Sequence, residues 1–368
     1  MFACRCARDE DLDALCLKCF IPTLTLGKEC ARWTMFKVNV KKSIHKGVIL
    51  DVSPEGFDSG AATFETIFVD KDDPRTTYMF YTGAEDTRWS HTSIGLATSK
   101  DGINFRKADE LNPIIEDQRV SFCSKEACTP AVTRVGNYFY MVLAGRSSSW
   151  KGRRIGIAYA DDPRGPWRII GELIRPKKYW EGNDIDLGPR IAKLKESELV
   201  VYYSNASNKL PLSILFGPRF LLRRIGILKL KIMSPSNIEA YRYEGNPLKH
   251  LNGPKGSWSE SLFCPGYLGI QDAHYLFPTA STYSIGSPHK QFIGMIASST
   301  PYFQKPQQTS VLIAGPLEKR KIMPTIKSEI ALDTPCPIVR QNKLFLYYAA
   351  KDRADNTWKT ALTIFDIK

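Results

Sequence analysis

Residues 94–99 read IGLATS, residues 155–160 IGIAYA, residues 225–230 IGILKL and residues 293–298 IGMIAS. Their glycines, Gly95, Gly156, Gly226 and Gly294, stand 61, 70 and 68 residues apart, and a degenerate copy, TALTIFDI from Thr360, follows about one period later. Self-similarity at a long, nearly fixed period marks a repeat architecture. An aromatic, alternating segment precedes each copy: YMFYTG from Tyr78, YFYMVLAG from Tyr138, LVVYYSNAS from Leu199, HYLFPTAS from His274 and LFLYYAAK from Leu344. Before that comes a shorter segment near a proline: TPAVTRV from Thr129, GPRIAKL from Gly188, CPGYLGI from Cys264 and CPIVRQN from Cys336. In the first copy ETIFVDK from Glu65 stands there without the proline. Turn formers such as Gly136–Asn137 and Gln341–Asn342 separate these two segments.

Each unit thus predicts a strand, a tight turn, an aromatic strand, a loop, an Ile-Gly strand and a looser outer strand. The turns after the third strand, DGINF, DDPRGPW and SSTPYF, end on an aromatic placed to pack on the next strand. Four antiparallel strands at this period make a propeller blade, so the expected fold is all-β, a five-bladed β-propeller over residues 35–368. A β-sandwich fits less well, because sandwiches do not repeat a whole motif order five times. The chain ends right after the fifth unit's third strand. Closure then calls for an N-terminal strand, MFKVNV from Met35 or the one near KGVILDV from Lys46, to complete the last blade and remove a free edge.

Hydrophobic residues make up 43% of the 368 and charged residues 24%, an ordinary globular balance. No window approaches the ~20 apolar residues of a transmembrane span. The net charge of +13 raises the question of polyanionic partners. The basic pairs are scattered, among them Arg153–Arg154 and Arg223–Arg224, with no basic helix or zinc-finger spacing, so nucleic acid is not expected. A solvated basic surface is the plain reading; attraction to an acidic polysaccharide or a lipid headgroup is the other.

Five of the nine cysteines lie in the first 30 residues, with a single CxxC where zinc sites usually pair two, so no metal or other cofactor is assigned. Residues 1–34 also lack the apolar core of a secretory signal and read as a cysteine-rich appendage outside the fold. The other cysteines, Cys123, Cys128, Cys264 and Cys336, read as buried free thiols in a reducing compartment, the cytoplasm. Residues 209–224, KLPLSILFGPRFLLRR, form an apolar and basic insertion in the third unit, read as a loop over the propeller, a lid, or a partner or membrane-surface contact.

In a propeller the first strands line the channel, so residues at their starts converge on one mouth. An acidic series occupies these starts: Asp58 and Glu65, Glu126, Asp184 and Asp186, Glu260, and Asp333. Close carboxylates raise one another's pKa and so supply an acid and a base together, the equipment of glycoside cleavage. Glu126, Asp186, Glu260, Asp184 and Glu65 are the candidate catalytic groups. Asp58, Arg190, Asp333, Trp180 and Trp258 are candidate substrate contacts, since sugar C–H faces stack on indole rings and a guanidinium holds oxygens in pairs. Turn capping is the structural alternative for each acid, and packing between blades for each tryptophan.

The run YMFYTG, IGLATSKDGINF, TPAVTRVGNYFYM, IGIAYADDPRGPW resembles the five-bladed propeller glycosidases, glycoside hydrolase family 43 and relatives such as families 32 and 130, over roughly residues 50–368. The resemblance implies an enzyme, hydrolase or phosphorylase, acting on a glycosidic bond of an oligosaccharide or exopolysaccharide in a funnel at one end. A non-catalytic carbohydrate-binding propeller is the alternative. In the family-43 pattern an aspartate base lies on blade one, an aspartate modulator on blade two, and a glutamate acid on blade three directly before Gly-Pro. Here Leu187 precedes Gly188–Pro189, Thr129 precedes Pro130, and blade one has no Asp-Pro. The family's trio therefore does not carry over position by position. The candidate acids above rest on convergence alone.

Overall fold

The aromatic second strands are buried on both faces. Along Lys343–Asp352, Leu344, Leu346 and Tyr348 enter one hydrophobic core while Phe345 and Tyr347 enter another. Along Glu198–Ser207, Leu199, Val201 and Tyr203 face one core and Val200 and Tyr202 the next. Side chains on a strand alternate between faces, so a strand dry on both sides must be apolar almost throughout. That is why these segments read as unbroken aromatic and aliphatic runs.

The computed structural model describes residues 36–115, 122–147, 152–207, 222–282, 291–306, 308–314 and 329–368. Among them are twenty strands and no α-helix, and no helix long and apolar enough to cross a membrane. Strand β1 (Val38–Leu50) comes first, and five antiparallel units follow. Unit one holds β2 (Ala61–Val69), β3 (Thr77–Ala84), β4 (Thr92–Ser99) and the short β5 (Arg106–Lys107). Unit two holds β6 (Glu126–Val135), β7 (Tyr138–Arg146), β8 (Arg154–Ala160) and β9 (Arg168–Ile174). Unit three holds β10 (Asp184–Lys195), β11 (Glu198–Ser207), β12 (Ile225–Ser234) and β13 (Asn237–Arg242). Unit four holds β14 (Ser261–Ile270), β15 (Ala273–Ser281), β16 (Gln291–Ser298) and β17 (Gln308–Ala314). Unit five holds β18 (Glu329–Arg340), β19 (Lys343–Asp352) and β20 (Trp358–Ile367).

The fourth strand of unit five is β1, paired antiparallel with β20 from Val38↔Ile367 to Leu50↔Thr360. The expected N-terminal strand thus covers the edge that the last unit leaves open. One continuous strand takes in the C-terminal half of the first anticipated segment and most of the second. Short parallel contacts, Ala61–Ala62 beside Trp358–Lys359 and Thr92 beside Glu126, join units five, one and two into one sheet.

Five cores lie between consecutive units: one and two, two and three, three and four, four and five, and five and one. The first strands touch in the same cyclic order, β2, β6, β10, β14, β18 and again β2. The aromatics closing the post-third-strand turns pack backwards and not onto the next strand of their own unit. Phe105 meets Tyr347 at 6.2 Å, Trp167 meets Phe80 at 5.8 Å and Phe303 meets Tyr202 at 6.0 Å, each edge-on against the second strand of the preceding unit. Edge-to-face pairs of this kind add to area burial.

The Ile-Gly motif has a steric cause. A Cβ on Gly226 would lie 2.5 Å from the Trp180 ring, and one on Gly294 would lie 2.1 Å from Trp258. Gly156 stands in the same relation to Phe122, at 2.2 Å. In units two, three and four an aromatic from the loop before the first strand packs against the third strand, and only glycine leaves it room; in unit one Gly95 makes room for Tyr81 of the second strand, 2.5 Å from where its Cβ would lie. Trp180 and Trp258, candidate sugar platforms in the sequence, are thereby packed on the sheet. The cysteine-rich residues 1–34 and residues 209–221 of the insertion lie outside the described residues.

Gly226→Ala is expected to cost about 1–3 kcal/mol, the usual range for forcing an extra methyl into a packed site. Adding Trp180→Phe, which removes the clashing ring atoms, should recover part of that loss. Urea unfolding of the single and double variants checks both, and an unchanged midpoint for Gly226→Ala would refute the packing account.

Candidate active site

Antiparallel order places the start of each first strand, the end of each second and the start of each third at one end of the units. The backbone there is irregular by rule. Every first strand carries a register shift: at Thr63/Thr66, Cys128/Ala131, Leu187/Ile191, Phe263/Gly266 and Asp333/Cys336. Four of the five hold a non-glycine residue in the left-handed region, Phe64 (φ 51), Thr129 (φ 46), Cys264 (φ 41) and Thr334 (φ 46). Such residues cost of order 1–2 kcal/mol each and persist only where neighbours over-determine them. Bulges of this kind re-aim side chains at sheet ends.

Hydroxyls of the preceding unit hold the bulges. Thr129 N donates to Thr82 Oγ1 at 2.9 Å, Cys264 N to Ser204 Oγ at 3.3 Å and Thr334 N to Thr279 Oγ1 at 3.0 Å. Thr82, Ser204 and Thr279 occupy the same place in their second strands, each opposite the isoleucine of an Ile-Gly pair.

Two carboxyls of the acidic series sit on this framework. Asp186, on β10, accepts from Thr129 Oγ1 at 2.9 Å, from Leu187 N at 2.9 Å and from Arg153 Nη1 at 2.9 Å. Asp333, on β18, accepts from Thr279 Oγ1 at 3.0 Å and from Thr334 N at 2.7 Å. Burial raises the pKa of Asp186, and Arg153 opposes the rise. Burial also raises Asp333; Arg223 opposes it and the negative charge of Asp186 adds to it. The charges of Asp333, Asp186 and Arg223 each bear on the buried Cys264 thiol. Burial pushes that thiol up, which makes it a poor nucleophile.

The remaining acids are engaged elsewhere. Glu126 is buried and ion-paired with Arg146 and with Arg153 Nε, the latter at 3.0 Å. Asp184 accepts Arg153 N at 2.6 Å. Glu260 is turned into its own loop, where Oε2 accepts Gly256 N at 3.0 Å. Asp58 accepts the Tyr81 hydroxyl at 2.9 Å and pairs with Lys107 at 2.7 Å. Unit three repeats that clamp with Glu181, which accepts the Tyr203 hydroxyl and Arg242 Nε, both at 2.7 Å. Glu65 is fully buried between units one and five, bonded to Thr360 Oγ1 at 3.2 Å, with Oε1 lacking a hydrogen bond. Burial pushes its pKa up to about 8. Arg190 Nη1 reaches from β10 to the carbonyl of Ile67 on β2, 3.2 Å away, and so spans two first strands that are not consecutive.

The structure therefore gathers Asp186, Glu126 and Asp184 around Arg153, and places Asp333 at the corresponding end of unit five, bonded to Thr279 and Thr334. It holds Asp58 and Glu260 in loop clamps and Glu65 in a core. The residues the sequence reading missed are Arg146, Arg153, Arg223 and Thr129. A signal for two of them was present: Arg153 and Arg223 each open the string Arg-Arg-Ile-Gly, directly before a third strand.

No protein-family model matches this sequence, and no curated protein matches it. Solved structures do. One named as a glycoside hydrolase is 14% identical with a TM-score of 0.64, covering 87% of this chain and 90% of its own. The α-L-arabinanase of Cellvibrio cellulosa, complexed with arabinohexaose, is 15% identical with a TM-score of 0.53, over 84% of this chain and 95% of its own. The family-43 endo-arabinanase of Bacillus licheniformis is 15% identical with a TM-score of 0.51, over 84% and 96%. At such identities the likeness is one of fold, and the chain is an all-β propeller similar in fold to the family-43 glycoside hydrolases.

Proposed function

We propose that residues 35–368 form a five-bladed propeller that binds a glycan at the end where the first strands begin and hydrolyses a glycosidic bond there, with Asp186 and Asp333 as the working carboxyls. One observation carries the reading. Two carboxyls, from units three and five, each accept a threonine hydroxyl of the preceding unit at the end where the first strands begin, and burial raises both. A pair of carboxyls whose pKa values are raised to different extents can supply a donor to the leaving oxygen and a base or nucleophile. The likenesses are to hydrolases and lend no support to phosphorolysis. Glu126 and Asp184 take a positioning role in this scheme, because they hold Arg153 against Asp186.

A second reading, a glycan-binding propeller without turnover, is favoured by Thr129 and Leu187 at the blade-two and blade-three positions where the family-43 pattern has carboxylates. Turnover separates the two. Asp186→Asn and Asp333→Asn should each lower hydrolysis of a responsive oligosaccharide or aryl glycoside by about 10²–10⁴-fold, the usual contribution of an acid or base. Glu260→Gln should lower the melting temperature and spare most of the activity. Binding of oligosaccharides without hydrolysis by the unaltered protein would overturn the enzyme reading and leave the binder.

The titration of the buried Glu65 bears on stability. Its folded pKa of about 8 lies above the ordinary value of 4.5, so the folded state holds the proton more tightly than the unfolded chain. Its neutral form is fully compatible with folding below about pH 4.5, and stability is lost as pH rises from there through about 8. Glu65→Gln, neutral at every pH, should therefore gain stability over the unaltered protein from pH 5 to pH 8. Melting temperatures across that range check it, and a constant difference between the two proteins would remove Glu65 as the source.

A further inference from the structure

We infer that Arg223 makes the mouth selective for acidic glycans, by receiving an anionic substituent of the bound sugar, the carboxylate of a uronosyl residue or a sulfate ester. The inference rests on the reading of this end as a glycan site and names the class of glycan.

Arg153 and Arg223 are repeat equivalents, each two residues before the isoleucine that starts the Ile-Gly pair. Their surroundings differ. The Arg153 guanidinium contacts Glu126 at 3.0 Å and Asp186 at 2.9 Å, and its backbone N–H donates to Asp184. Its charge is spent within the protein. Arg223 contacts no carboxylate among the described residues. Its guanidinium lies over the Phe263 ring instead, with Cζ 4.3 Å from the centroid. Asp333 is within electrostatic reach but makes no ion pair with it.

Arg223 is also held still. Its N–H donates to Ser261 Oγ at 2.9 Å, and its carbonyl accepts Asn252 Nδ2 at 3.0 Å and Leu262 N at 3.2 Å. A guanidinium stacked on a ring keeps its edge N–H donors in one plane, which suits a carboxylate or sulfate bidentately. Stacking on Phe263 restricts the side chain, so less rotamer entropy remains to be lost on binding. Neighbouring acids do not oppose an anion strongly: Arg146 and Arg153 compensate Glu126 and Asp186, and burial favours the neutral forms of Asp186 and Asp333.

The test is calorimetric binding of three sets of ligands to the full chain: uronosyl oligosaccharides, the same oligosaccharides after carboxyl reduction, and neutral oligosaccharides bearing sulfate esters. The unaltered protein should bind one acidic set at least ~10-fold tighter than its neutral counterpart, the scale of one charge-assisted hydrogen-bond pair. The set preferred identifies which anion the site takes. Arg223→Gln should reduce the preference to under about threefold, mainly by weakening acidic binding, and Arg223→Lys should retain part of it. Melting temperatures of the variants control for folding. Equal affinity for acidic and neutral sets, or a preference that survives in Arg223→Gln, overturns this inference and leaves the glycan reading standing. Absence of binding to every oligosaccharide overturns the glycan reading itself, and this inference with it.

Discussion

Everything in this molecule depends on the second strand of each unit being dry on both sides. An isolated four-stranded sheet has two faces and can hide neither. Here each unit lends one face to the core before it and the other to the core after it, and the series returns from unit five to unit one. The largest fully buried side chains include Tyr81, Tyr140, Tyr203, Tyr275 and Tyr348, all on second strands. Each such side chain contributes about 1.5–3 kcal/mol by leaving water, which is enough to tolerate strain elsewhere.

The strain is concentrated at one end. First strands carry bulges and left-handed residues where the units crowd the axis. A Cβ on Gly188 would lie 2.0 Å from the carbonyl of Pro265, and one on Gly266 would lie 2.0 Å from that of Pro335. The hydroxyls of Thr82, Ser204 and Thr279 take up the displaced N–H groups. Units two and five have alanine in that place, Ala144 and Ala349, and other contacts bridge those seams. Thr129 Oγ1 reaches Asp186 across one, and Thr360 Oγ1 reaches the carbonyl of Ala62 across the other. The groups that stitch the units together and those that line the mouth are therefore partly the same.

This double use explains why the acidic series was a mixed guide to the site. A carboxylate ahead of a first strand can tie its loop to the sheet, as Asp58 and Glu181 do through tyrosine hydroxyls. It can equally hold an arginine, as Glu126 does, or accept a hydroxyl of the preceding unit, as Asp333 does. All of these read alike in one dimension. The partners that tell them apart, Lys107, Arg242, Arg153 and Thr279, lie between 27 and 61 residues away in the chain.

From the sequence alone came the period, the strand order within each unit, the all-β class and the need for an N-terminal strand to complete the last unit. These are local matters. Alternation, turn residues and a glycine under an aromatic leave their mark within a few positions, and the repeat multiplies that mark. Tertiary structure decided which acids meet, which arginine is neutralised, and that Trp180 and Trp258 lie on glycines. Those outcomes depend on the bulge that re-aims each first strand and on which neighbouring unit supplies a partner, and no spacing along the chain encodes either.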